Sequence, residues 1–135
     1  MYRKISYFYT SIDDTVGEGF RLLSRLAARD VDLTAVTAVP FGPCKTQLTL
    51  FPTDAARLVA AAKRERLTLD GPHPAILVHG DDQVGAFAEV LAKLAAGKIN
   101  VFSAHAMTDR QGGFSYIIYL KPSDITKALE SLREP

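Results

Sequence analysis

Two acidic pentapeptides have the residue types and spacing to do chemistry: "DDTVG", Asp13 to Gly17, and "DDQVG", Asp81 to Gly85, 68 positions apart. Each sets paired carboxylates just before a glycine that opens an apolar run with helical spacing. One chemistry for such a turn is helix capping. Thr15 with Glu18 three positions on has the capping-box spacing, Asp82 can cap in the same way, and acids near a helix N-terminus favour its dipole. The other is ligand binding. Backbone N–H groups at a glycine turn before a helix can hold a carboxylate or phosphate. Asp14 or Asp82 beside them can accept from an ammonium group. Together they would recognise a zwitterion such as an amino acid. Glycine in a first helical turn costs up to about 1 kcal/mol relative to alanine. Its presence in both turns favours close approach of something to the backbone.

Catalysis would need a nucleophile, a base and an orienting group within reach. Cys44 lies in a predicted turn, "FGPCK", with no histidine near it in sequence, and reads as a turn thiol. His73, between two prolines, is a connector residue. His79 ends a predicted strand and His105 lies on another, where a sheet-face or ligand-proximal role is open. One cysteine makes no disulfide framework and no multi-cysteine metal site. A metal site would also need a third ligand that the sequence does not display. The chain is therefore read as a non-enzyme, with no metal and no cofactor. Arg21, Arg25 and Arg29 form an i, i+4 stripe, which reads as a solvated helix face.

The charge balance, 16 basic against 15 acidic side chains, gives no electrostatic reason to expect nucleic acid or an anionic membrane as partner. No apolar run approaches the roughly 20 residues needed to cross a bilayer. The alternating N-terminal "MYRKISYFYTSI" is not a signal peptide. A cytoplasmic protein is the expectation.

The elements that must position the two turns come in two matching sets. Laid over one another without a gap, Leu23 meets Leu91, Leu26 meets Leu94, Ala27-Ala28 meet Ala95-Ala96, and Val31 meets Ile99. With two extra residues in the second copy, "LFPTDAARLV" then meets "LKPSDITKAL". This is a duplication, with units expected at 1–71 and 72–135. Each copy reads as strand, helix, two strands and helix. The first has strands near 3–10, 32–40 and 45–51, and the second near 75–80, 99–107 and 114–121. Helices are expected from Thr15 to Arg29, with Val16, Phe20, Leu23 and Ala27 inward, and after Asp82, with Val84, Phe87, Leu91 and Leu94 inward and Gly97 as the stop. Thr53 and Ser123 are the expected N-caps of the second helices. In the first copy "LTL", 67–69, reads as a short fourth strand before a "DGPHP" connector.

The order βαββαβ predicts an α+β fold: two ferredoxin-like units in tandem, each an antiparallel sheet with helices on one face. The second unit lacks a C-terminal fourth strand, so a neighbouring segment or a second chain is expected at its bare edge. In "FSYIIYLK" one parity holds Phe114, Tyr116, Ile118 and Leu120 and the other Ile117 and Tyr119. Both faces of that sheet are therefore expected to be covered.

The stretch "HGDDQVGAFAEVLAKLAAGKINVFSAHA" resembles the ACT domain family, small ferredoxin-like regulatory modules usually found in amino-acid metabolism. It has the family's strand, D-x-[PV]-G-like turn, helix with spaced leucines, glycine and "INV"; the first copy matches more loosely, with "VDL" for "INV". The resemblance implies units that pair side by side and bind amino acids or other small ligands at the seam. In the second copy it points to Gly80, Asp81, Asp82, Val84, Gly85 and Ala86, with Asn100 at the start of the second strand. In the first it points to Ile12, Asp13, Asp14, Val16, Gly17 and Glu18, with Asp32 opposite. The amide at Asn100 suits a ligand carboxylate better than the acid at Asp32, so the second turn is the expected binding turn. What is implied is an allosteric sensor, dimeric or larger, with an amino-acid ligand and a metabolic enzyme as a possible partner. The alternative is a non-binding regulatory subunit that docks on an enzyme.

Overall fold

The computed structural model describes residues 1–135. The strands are β1 (Tyr2–Asp13), β2 (Leu33–Pro40), β3 (Lys45–Pro52), β4 (Asp70–Asp81), β5 (Ser103–Thr108) and β6 (Gly113–Tyr119). The helices are α1 (Glu18–Ala27), α2 (Ala55–Arg64), α3 (Ala86–Ala96) and α4 (Ile125–Arg133), with a 3-10 turn, Pro122–Asp124, before the last. The chain forms two compact units, the first from Ser6–His73 and the second from Met1–Ile5 with Pro74–Pro135. Each is a ferredoxin-like α+β unit, as expected.

In the first unit β1 pairs with β3 and β3 with β2, all antiparallel. Its core joins Phe8, Leu48 and Leu50 from the sheet to Leu22 and Leu26 of α1 and Leu58 and Ala61 of α2. On the other face Tyr7, Phe51 and His73 form an aromatic group, with Tyr7 5.5 Å from Phe51 and 5.3 Å from His73 between ring centres. In the second unit β4 pairs with β6 and β6 with β5. Ile76, Val78, Tyr116 and Ile118 pack there against Val90 and Leu94 of α3 and Ala128 and Leu132 of α4. Ile117 and Tyr119, of opposite parity, are buried as well. The strands of each unit thus bury side chains on both faces.

The bare edge of the second unit is taken by residues 1–5. Met1 and His79 exchange both main-chain hydrogen bonds, at 2.8 and 2.9 Å, the pattern of an antiparallel pair. Tyr2 packs on that unit's core. The first five residues therefore leave the 1–71 unit to which the duplication assigns them. The "LTL" strand is absent: residues 67–69 are irregular, and the "DGPHP" stretch taken for a connector begins β4.

Other boundaries shift for local reasons. α1 begins at Glu18, not Thr15, so its inward stripe is Leu22 and Leu26 while Phe20 is exposed. α3 buries Ala86, Val90 and Leu94, and Leu91 faces outward. Asp54, not Thr53, caps α2, its carboxylate accepting from the Arg57 N–H at 3.2 Å. Ser123 lies inside the 3-10 turn, and Asp124 is the residue before α4. Gly97 is the C-cap that ends α3, as expected, but its φ is −81° and the left-handed residue is Lys98. A Cβ on Gly97 would stand 2.2 Å from Ser131 Oγ, so glycine there lets α3 lie close to α4.

Strand register locates the two extra residues of the second copy. Phe8 faces Leu50 across β1–β3, and Ile76 faces Ile118 across β4–β6, so the 68-residue offset persists through β6. The insertion falls after β6, at the approach to the 3-10 turn, and leaves the sheet undisturbed.

Candidate functional site

The two acidic turns fold alike. Gly17 and Gly85 stand just before α1 and α3, both with φ 87°, a left-handed conformation that costs other residues about 1–2 kcal/mol. That conformation accounts for the repeated glycine, since nothing lies within 4 Å of a Cβ built on Gly85. On Gly17 a Cβ would stand 3.1 Å from the Arg21 guanidinium, so there a side chain also lies close. Side-chain capping is not seen either: neither helix start receives a side-chain hydrogen bond, and Glu18 N–H reaches the Thr15 main-chain oxygen at 3.3 Å. The turns are instead tied to the neighbouring hairpins. Asp14 N–H donates to Cys44 O at 3.0 Å, and Asp82 N–H donates to Gly112 O at 2.9 Å. Cys44 holds φ 63° where Gly112 holds 102°, so the lone thiol is an exposed turn residue.

Beside each turn is a cavity. That of the second unit, about 260 Å³, is walled by Gly80, Asp81, Gln83 and Ala86 from the turn, Glu89, Val90 and Lys93 from α3, and Tyr2 and Phe114. That of the first, about 280 Å³, is walled by Ile12, Asp13, Glu18, Arg21, Leu22, Arg25, Lys45 and Leu67. Residues 79, 80, 81, 86, 89, 90 and 93 each have a partner 68 positions earlier on the first wall. The duplication therefore extends to the cavity.

The charges differ. In the first cavity Glu18 pairs with Arg21, Asp13 pairs with Lys45, and the Arg25 guanidinium donates to Glu65 O at 2.7 Å. The hydrogen bond and charge of Asp13 raise the Lys45 pKa above its ordinary value. In the second, Ala86 stands for Glu18, Glu89 for Arg21 and Gly113 for Lys45, so neither ion pair can form. Asp81 and Glu89 make no ion pair and no side-chain hydrogen bond. Lys93 reaches Leu132 O at 3.4 Å. The second cavity can thus offer two carboxylates to an ammonium group, with Lys93 on the same wall for a carboxylate and the Tyr2 and Phe114 rings for an apolar body.

Of the residues expected at the second site, Gly80, Asp81 and Ala86 line this cavity. Asp82, Val84, Gly85 and Asn100 are exposed and are not among its walls. Val84 is 107% and Val16 99% exposed, both at the tips of their turns rather than inside a helix. Asp14 and Asp32 are exposed too, and the Asp32 main-chain oxygen accepts from Thr53 N–H at 3.0 Å. Glu89 and Lys93 were missed by the sequence reading. Their signal is the i, i+4 spacing after Gly85, matched in the first copy by Arg21 and Arg25, which line a cavity rather than forming only a solvated face.

No protein-family model matches the chain, and no curated protein does. Solved structures do. Protein BT0572 from Bacteroides thetaiotaomicron superposes with a TM-score of 0.83 at 17% identity, over 98% of this chain and 88% of that one. The ligand-free regulatory subunit of aspartate kinase from Thermus thermophilus gives 0.67 at 14%, over 97% and 93%. A putative C-terminal regulatory domain of aspartate kinase from Porphyromonas gingivalis gives 0.55 at 15%, over 98% and 93%. At these identities the likeness shows the fold alone: two ferredoxin-like α+β units in tandem. No helix of the chain is long and apolar enough to cross a membrane.

Proposed function

We propose that the chain is a non-catalytic regulatory protein, acting in the cytoplasm, that binds an amino acid in the cavity of its second unit. The observation that carries this reading is the pair of carboxylates, Asp81 and Glu89, left without partners where the first copy is crossed by ion pairs. Those acids take the ligand's ammonium group and Lys93 its carboxylate. The fold shared with regulatory parts of aspartate kinase supports a regulatory role. Ligand binding would favour one packing of units over another and pass that shift to a partner enzyme or to the oligomeric state. Asp82, Val84, Gly85 and Asn100, with Asp14, Val16 and Asp32, lie on open surface, and Gly17 is half-buried beside them. They enter a site when a second copy covers them, so a homodimer belongs to this reading.

Calorimetry of the full chain against each common amino acid tests it. Binding by at least one is expected, weakened about tenfold or more by Asp81→Asn and by Glu89→Gln. No heat with any amino acid, or binding indifferent to both substitutions, would overturn it. A second reading, a subunit that docks on a metabolic enzyme without a ligand, is favoured by the full exposure of Val16 and Val84. Co-purification with an enzyme, lost in a Val16→Ser, Val84→Ser variant and unaccompanied by any ligand-induced thermal shift, would support it instead.

A further inference from the structure

We propose that the first unit carries a further ligand site, distinct from both turn cavities though it borders the first at Ser11 and Leu67, that takes a small zwitterion with an apolar body. It is a cavity of about 500 Å³, within the range of small-molecule sites, walled chiefly by Tyr9, Phe41, Gln47, Arg66, Leu67 and Asp70. Its charged groups are placed by main-chain structure. Arg66 follows α2 at φ 56°, its N–H bonded to Lys63 O at 3.3 Å and that of Leu67 to Ala62 O at 2.8 Å, a Schellman closure. The Arg66 side chain makes no ion pair and no hydrogen bond. Asp70 is held on one oxygen by His73 Nε2 at 3.0 Å, which leaves the other for a donor. Gly71, next to it, lies so close to β1 that a Cβ would stand 2.8 Å from both Phe8 Cδ2 and Tyr7 O. The Tyr9 ring packs edge-on against Tyr7 at 5.2 Å and against His73 at 5.4 Å.

Asp70 and the Tyr9 ring are therefore positioned before a ligand arrives, which lowers the ordering cost of binding, and the Arg66 guanidinium is left unengaged for a ligand anion. The ligand carboxylate sits on the Arg66 guanidinium, its ammonium group on Asp70, and its apolar body against Tyr9, Phe41 and Leu67. The second copy has no equal. Asp109 stands there for Phe41 and His79 for Ser11, and the cavity shrinks to about 110 Å³. The proposal does not rest on the turn cavity.

Amide NMR titration of the full chain with L-phenylalanine and L-leucine tests it, with 3-phenylpropanoate and 2-phenylethylamine as probes lacking one charge each. Shifts are expected at Ser11, Gln47 and Thr68, and each one-charge probe should bind about tenfold or more weakly than phenylalanine. Arg66→Gln should weaken binding about tenfold or more with Tm unchanged, because that side chain holds nothing else; Phe41→Ala should weaken it without preventing folding. No shift at these amides up to about 10 mM ligand would overturn the proposal. So would unaltered affinity in Arg66→Gln. Shifts confined to Gly80–Ala86 would overturn it as well, while supporting the turn cavity.

Discussion

The cavity beside Ile12–Glu18 and the cavity beside Gly80–Ala86 are the same place in two copies of one module, with walls built from equivalent positions. In the first, acids and bases on the walls neutralise one another, Glu18 with Arg21 along α1 and Asp13 with Lys45 between paired strands. In the second, three substitutions, alanine for glutamate and glutamate for arginine on the helix and glycine for lysine at the strand start, remove both pairs. A fold-level duplication thus says nothing about whether both sites work; the charges on the walls decide. Exposed pairs such as Asp13–Lys45 add little to stability, so changing them alters binding while leaving the unit folded.

The comparison treats the copies as mechanically equivalent and chemically different, and both halves can be tested. The largest effect tests equivalence. Leu26 and Leu94, 68 positions apart and each 1% exposed, should lose about 2–5 kcal/mol of stability when replaced by alanine, measured by denaturant unfolding. Losses of similar size keep the cores equivalent, whereas a neutral result in one copy would break that equivalence.

Next comes a position where the copies diverge in packing. Gly97→Ala should cost about 1–3 kcal/mol by crowding Ser131, whereas its counterpart Arg29 is partly exposed, pairs with Glu65 at 3.7 Å, and should cost under about 1 kcal/mol on replacement by alanine. Smaller again, Gly17→Ala and Gly85→Ala should each cost about 1–2 kcal/mol, because both hold the same left-handed φ, with the Gly17 variant also shifting the Arg21 guanidinium 3.1 Å from the new Cβ. Such a loss reports backbone conformation and is no evidence for a ligand.

The smallest effect is on pH. In the turn between β5 and β6 the Asp109 carboxylate accepts from Gln111 N–H at 2.7 Å and Gly113 N–H at 3.1 Å, and these bonds lower its pKa. Its contribution is therefore full above the unfolded value of about 4 and is lost as pH falls through the lower folded value. Amide shifts of Gln111 and Gly113 should move together in that acid range and lose the transition in Asp109→Asn. The β2–β3 turn, with Phe41 at the corresponding position, should show no such step.

Much of this was legible in the order of residues. Periodicity and matched spacing reveal the duplication, the helices and most strands, since each depends on neighbours within a few positions. The helix starts misled because Val16 and Val84 continue the apolar spacing of their helices. Only the φ of the glycine that follows shows that both lie in the turn. "LTL" has the composition of a strand, yet strand pairing is a long-range matter, and the pairing begins at Asp70, across a glycine and two prolines that argue locally against it.

By itself, then, the sequence determined two βαββα sets, two acidic glycine turns, and the unequal chemistry of their flanking positions, because all of these are local or compared residue by residue. Only the tertiary structure decided that residues 1–5 complete the second unit, since an unpaired strand edge takes whichever chain segment reaches it. It also brought Glu89 and Lys93 to Asp81, and Arg66 and Asp70 to Phe41. Helical spacing links Glu89 to Lys93, but Phe41 and Asp70 are distant in the chain and no spacing rule connects them.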